Sequence, residues 1–251
     1  MKRLSLLVAL GAVCAWSIDI PRIGFACDAQ GRISVVNGIA GNFVLGDMMG
    51  GSVAFSWNGA IGVRKTDSAL ELWDSTGTVA ATFDVPPGEA VIGFGPDNTT
   101  AWIYSPADRA LVQVKPDGLQ RVPAGVIGEA VLALTGGVTS VDVAIRREAR
   151  LYIATFDVPS GSRTAEVSLA HTASSILFAG GGAIAGVDGS VVWITRADGS
   201  EWSVDTGVAL TAMAWMGRDW IQISAVDRQF ALRLRPGSDP VIFLLPQAVS
   251  Q

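Results

Sequence analysis

Five times along the chain a bulky apolar residue ends a short apolar run and stands just ahead of a glycine- or aspartate-containing turn. The stretches are VAFSWNG, VIGFGPDN, VLALTGG, SILFAGGG and TAMAWMGRD, and the residues are Phe55, Phe94, Leu134, Phe178 and Trp215. Successive members are 39, 40, 44 and 37 residues apart. A self-similarity of that period restricts the chain to a repeat architecture, in which each unit is a supersecondary element that cannot cover its own apolar faces.

Every unit continues in the same way. A second run follows in AIGVRK, TAWIYS, SVDVAI, AIAGV and WIQISAV, and a third in ALELWD, ALVQVK, RLYIAT, VVWITR and FALRLR. The third runs partly alternate apolar and polar residues, as on a strand with two different faces. A shorter fourth run is TVAATFDV, LQRVPAG, TAEVSLA, EWSVDTG and VIFLLPQ. Between the third and fourth lie turn-formers: Ser75-Thr76-Gly77, Pro116-Asp117-Gly118, Asp198-Gly199 and Pro236-Gly237. Glycine supplies the positive φ of tight hairpins, and proline cannot donate to a central ladder.

Four antiparallel strands in about 40 residues is the signature of a β-propeller blade. The expected fold is all-β: one β-propeller domain over residues 16–251, six-bladed, with five and seven as the neighbouring counts. Blades in a ring cover one another's apolar faces, and Phe55, Phe94, Phe178 and Trp215 are expected to fill the gaps between them. The N-terminal stretch IGFACDAQGRISVVNGIAGNFVLG carries only three runs, matching the second, third and fourth strands of a unit. The period places its inner strand near Trp16 to Ile20.

Composition agrees with this reading. With 49% hydrophobic and 16% charged residues, the 251-residue chain can bury a large core, and its 29 glycines disfavour helices. The opening MKRLSLLVALGAVCA has a basic start at Lys2 and Arg3, an apolar stretch and a small-residue ending at Ala15, the pattern of a secretory signal peptide over residues 1–15. A membrane anchor would need about twenty apolar residues, and Asp19 interrupts the run. A lipoprotein signal fits poorly, because Gly11-Ala12-Val13 precedes Cys14. The expected destination is secreted or periplasmic. Loss of residues 1–15 takes the formal charge from −5 to −7 and leaves Cys27 as the only cysteine, so no intrachain disulfide is expected in the mature protein. A mildly acidic chain with scattered arginines has no stripe for a phosphate backbone, so no nucleic-acid partner is expected.

GFGPDNTTAWIYSPADRALVQVKPDG and ALELWDSTGTVAATFDVPPG resemble the repeats of the YVTN, NHL and TolB-like group of bacterial six- and seven-bladed propellers. The resemblance runs in rhythm over residues 24 to 247, with Gly95-Pro96-Asp97-Asn98 where that group more often has Ser-Pro-Asp-Gly. It implies the fold and says little of function. WD40 marks are absent as a set, since Trp73-Asp74 occurs once and His171 is the sole histidine.

No motif assembles a catalytic centre. ILFAGGGAIAG resembles a dinucleotide fingerprint, but the sequence after it, VDGSVVWITRADG, reads as a hairpin where the phosphate site needs a helix. His171 in SLAHTASS is expected to be a loop or structural residue, because no Gly-x-Ser-x-Gly elbow accompanies it. One histidine and one mature cysteine exclude most zinc and copper sites, and Asp198-Gly199-Ser200-Glu201 reads as a turn rather than a calcium loop. No catalytic residue, metal or cofactor is therefore assigned. The enzymatic option is a pair of loop carboxylates among Asp84, Glu89, Asp97, Asp205 and Asp219, since glycosidases need only two; against it, aspartate is a common turn residue. Trp57, Trp102, Trp193, Trp202 and Trp220 are either a binding surface or inter-blade packing. Asn98-Thr99-Thr100 matches a glycosylation acceptor and equally a loop asparagine.

The expected role is an exported, non-catalytic binding or scaffold module for a protein or small ligand. The alternative is a propeller hydrolase acting on carbohydrate or lactone through carboxylates such as Asp97 and Asp219. A third option is a purely structural module, which an apolar or blocked channel would favour.

Overall fold

The computed structural model describes residues 20–122, 127 and 129–247. Blade 1 holds β1 (Arg22–Cys27), β2 (Ile33–Ile39) and β3 (Asn42–Met49). Blade 2 holds β4 (Ala54–Trp57), β5 (Gly62–Lys65), β6 (Ala69–Trp73) and β7 (Val79–Asp84). Blade 3 holds β8 (Val91–Phe94), β9 (Ala101–Ser105), β10 (Ala110–Lys115) and β11 (Gly118–Arg121). Blade 4 holds β12 (Ala130–Gly136), β13 (Ser140–Arg147), β14 (Arg150–Asp157) and β15 (Arg163–Ser168). Blade 5 holds β16 (Ser175–Ala179), β17 (Ala183–Asp188), β18 (Val191–Thr195) and β19 (Glu201–Asp205). Blade 6 holds β20 (Leu210–Gly217), β21 (Trp220–Ala225), β22 (Gln229–Arg233) and β23 (Val241–Leu244).

Each sheet is a meander in chain order, and every pairing is antiparallel. The fold is a six-bladed β-propeller. The anticipated turns fall between third and fourth strands, with Gly77, Gly199 and Gly237 at φ of 78°, 80° and 71°. Fourth strands form the outer rim, and β15 is exposed along its whole length.

Six apolar clusters hold the ring together, and each straddles one pair of adjacent blades. Phe25 and Ile33 of blade 1 pack on Phe55, Trp57 and Trp73 of blade 2. Val63 and Leu70 meet Phe94 and Ile103, Trp102 and Leu111 meet Leu134 and Val143, and Ala144 and Leu151 meet Ile176 and Trp193. Ala185 and Ile194 meet Ile221 and Ile223. Met216 and Trp220 of blade 6 close the circle on Val36 and Phe43 of blade 1. Each sheet thus shields its neighbours, which is the burial the repeat requires.

The inner strands approach so closely that side chains are excluded at some contacts. A Cβ on Gly93 of β8 would lie 1.8 Å from the Leu134 carbonyl oxygen of β12. Hydroxyls tie the same layer laterally: Thr135 donates to the Phe94 carbonyl at 2.7 Å, and the Met213 amide donates to Ser175 Oγ at 3.1 Å.

Blade 1 shows three strands among the described residues. Its three described strands are those the sequence shows, whereas the inner strand expected near Trp16 to Ile20 lies outside the described residues except for Ile20, which is exposed and not in a strand. The signal peptide expected over residues 1–15, with Cys14, also lies outside them. Among the described residues, five inner strands line the channel, and β20 meets β4 directly through a 3.1 Å hydrogen bond from the Trp215 amide to Ser56 Oγ. On the inner side of β1, the buried Gln222 side chain of β21 accepts from the Cys27 amide at 2.8 Å and donates to the Cys27 carbonyl. A side-chain amide there makes the paired bonds that a neighbouring strand would make.

Candidate functional site

The two ends of the ring differ in what they offer. At one end lie the turns joining first to second strands, among them Asn58-Gly59, Gly95 to Thr100, Gly136 to Thr139, Gly180 to Gly182 and Arg218-Asp219. Two cavities open there, of about 630 Å³ and 400 Å³, and they share Asn98, Gly180, Gly181, Ala183 and Trp215. Together they form one mouth over the central channel. The channel below is apolar, about 280 Å³, and lined by residues such as Ile92, Leu134, Ile176, Phe178 and Met213. Trp215 lines all three spaces and so stands where the mouth meets the channel.

Local sequence explains the shape. Gly180, Gly181 and Gly182 make a single 3-10 turn between β16 and β17, and no α-helix follows. The dinucleotide reading is therefore excluded by the hairpin itself, as the sequence indicated. A Cβ on Gly180 or Gly181 would meet nothing within 4 Å, so these glycines bound open space rather than a close packing contact. Asn98 takes a left-handed conformation, φ 58°, and its carbonyl accepts from the Asn58 side chain of blade 2 at 3.0 Å.

The rim of the larger cavity is charged. Arg235 pairs with Asp219 at 3.4 Å, and Arg196 donates to Ser200 Oγ at 3.3 Å and to the Ser238 carbonyl at 3.1 Å. Asp198 is held by the Ser200 amide at 2.9 Å, and hydrogen bonds from Ser200 keep its carboxyl below the usual range. Arg218 is exposed and has no ion-pair partner among the described residues.

The loop carboxylates split between the two ends of the ring, with Asp84, Glu89 and Asp205 at one end and Asp97 and Asp219 at the mouth end. Asp84 ends β7 and Glu89 precedes β8, whereas Asp97 follows β8, so the length of a four-residue strand, roughly 13 Å, lies between them. Asp205 and Asp219 are likewise separated by β20, with Asp219 alone at the mouth. Asp97 is a turn residue: it accepts from the Thr99 and Thr100 amides at 3.0 Å and from both hydroxyls at 2.8 Å. Partial burial opposes its ionisation, but the Thr100 and Thr99 hydrogen bonds outweigh this and hold the carboxyl below its ordinary range. A general acid needs the opposite shift. Among the described residues no group of three His, Cys, Asp or Glu side chains is placed to hold a metal ion.

The remaining candidates are structural. Trp57, Trp102, Trp193 and Trp220 are buried between blades, and Trp102 donates to the Gly136 carbonyl at 2.9 Å. Trp202 packs, half-buried, on the core between blades 5 and 6. His171 lies in the loop before β16, stacked on Trp193 at 4.6 Å, with Nε2 2.9 Å from Glu201. Burial pushes the Cys27 thiol above its usual range. Trp215, expected as a gap-filler, does pack against two of the inter-blade cores, and it also lines the mouth, which its own sequence context did not indicate.

At the other end of the ring a cavity of about 510 Å³ lies beside blade 1. Its polar groups are engaged: Asp28 with Arg32 at 2.6 Å, Asp227 with Arg228 at 2.7 Å, and Gln222 and Gln229 with Cys27.

No family model and no curated protein matches the chain. Solved structures do. The nidogen/laminin complex aligns at 11% identity with a TM-score of 0.57, covering 89% of this chain and 97% of that one. These proteins share a fold. Virginiamycin B lyase from Staphylococcus aureus aligns at 13% identity with a TM-score of 0.49, covering 93% of this chain and 87% of the lyase. The β-propeller domain of Cps50 (Swd1) from Myceliophteria thermophila aligns at 12% identity and 0.48, covering 78% and 70%. At these identities the likeness extends to the fold and no further.

Proposed function

We propose that the protein is an exported, non-catalytic binding propeller of the YVTN, NHL and TolB-like kind, and that its ligand seat is the mouth around Trp215. One observation carries the reading: two cavities merge at one ring end around an aromatic side chain, bounded by glycines that leave space open. Concave sites with an aromatic surface and a few convergent polar groups are where small ligands bind. The turn role of Asp97, held by Thr99 and Thr100, and the pairing of Asp219 with Arg235 support binding over hydrolysis.

The test uses a point of access that the fold tolerates. Gly180 has room for a side chain and no positive φ, so Gly180→Trp should fold and fill the mouth. A panel of neutral sugars, acidic sugars and short peptides is titrated against both proteins, and each retained compound is checked for products by mass spectrometry. The reading expects compounds that bind the wild type, fail to bind Gly180→Trp and are recovered intact. Binding that survives Gly180→Trp, or turnover, overturns it. A purely structural module is favoured by the apolar channel, and a panel with no retained member would support that reading instead.

A further inference from the structure

Resting on that seat, we infer that its ligand class is a carboxylated sugar, a uronic acid at the end of or within a short saccharide. Three features of the larger cavity meet in this chemistry. Trp215 offers a half-buried indole, and a sugar presents a face of C–H groups that lies against such a ring. Arg218 supplies an exposed guanidinium without an ion-pair partner among the described residues, and that planar fork binds a carboxylate through two parallel hydrogen bonds. The rest of the lining is rich in backbone amides and carbonyls of Gly180, Gly181 and Gly237, with Asn98 beside them, which are partners for hydroxyls.

Of the three arginines that line this cavity, Arg235 pairs with Asp219 and Arg196 with Asp239 at 3.8 Å, so Arg218 is the guanidinium left to meet an anion among the described residues. A volume of about 630 Å³ suits a ligand of more than one sugar ring. An aromatic acid would match Arg218 but would leave the hydroxyl partners unused.

Titration calorimetry with a diuronic acid, the corresponding neutral disaccharide and benzoate tests this on wild type, Arg218→Gln and Gly180→Trp. The expected result is binding of the diuronic acid alone, weakened about tenfold or more by Arg218→Gln and weakened further by added salt. Gly180→Trp should abolish it. Equal binding of the neutral disaccharide, tighter binding of benzoate, no binding of the diuronic acid, or indifference to Arg218→Gln overturns the ligand class. Those outcomes leave the seat itself standing wherever Gly180→Trp still blocks the compound that binds. Binding of the diuronic acid to Gly180→Trp as to wild type would instead remove the seat and the inference together.

Discussion

Gln222 and Cys27 are 195 residues apart, and the Gln222 amide bonds both the N–H and the C=O of Cys27. Blade 6 is thereby stitched to the backbone of β1 by a side chain. Gln222 is only 4% exposed, and its loss would leave the Cys27 N–H without its partner, while the Cys27 carbonyl would keep the hydrogen bond from Gln229 at 2.8 Å.

Gln222→Leu is therefore expected to cost about 1 to 3 kcal/mol, the cost of leaving the Cys27 N–H without its partner. Urea unfolding followed by circular dichroism measures it. A loss under about 0.5 kcal/mol, the scatter of ordinary surface changes, would mean that the contact is incidental.

Gly93→Ala and Gly180→Ala form a pair with opposite expectations. The first drives a Cβ to 1.8 Å from the Leu134 carbonyl oxygen, and the second enters open space. Gly93→Ala should lower the unfolding free energy by an amount typical of severe overpacking, about 1 to 3 kcal/mol or more, and the melting midpoint with it, while Gly180→Ala stays within about 0.5 kcal/mol of the wild type. Thermal melts of the two variants side by side provide the check.

Turn carboxylates set the acid limb of stability. Hydrogen bonds from Thr76 hold Asp74 below its usual range, those from Ser160 do so for Asp157, and Thr100 and Thr99 prevail over partial burial at Asp97. Each folded-state value is depressed, so the unfolded chain binds protons first as pH falls. The contribution is complete above the unfolded value of about 4 and is lost as pH drops through the folded values. Denaturant midpoints should be flat from about pH 7 to pH 5 and decline below about pH 4. Asp97→Ala should be less stable at neutral pH and show a shallower decline.

Much of this architecture was legible in the chain because its cause is local. Phe94 before Gly95-Pro96-Asp97, or Trp215 before Gly217-Arg218, marks a strand end and a turn within a few residues, and a period of about 40 repeats the message. Twenty strands of blades 2 to 6 follow the runs so identified. Ring closure was not legible. That Gln222 would meet Cys27, or that β4 would abut β20, depends on contacts across nearly the whole sequence. The site suffered for the same reason: Asp84, Glu89 and Asp97 are neighbours in sequence but fall at opposite ends of β8. Trp215 reads as packing in its own unit, and only the assembled ring makes it a lining residue of the mouth as well.

The most direct test of the mouth as the seat is fluorine NMR on protein labelled with 5-fluorotryptophan, with the Trp215 resonance assigned by Trp215→Phe. Neutral sugars, acidic sugars and short peptides are added in turn, and each binder is predicted to move the Trp215 signal while that of the fully buried Trp102 stays fixed. Bound compounds that leave Trp215 unmoved would contradict the account.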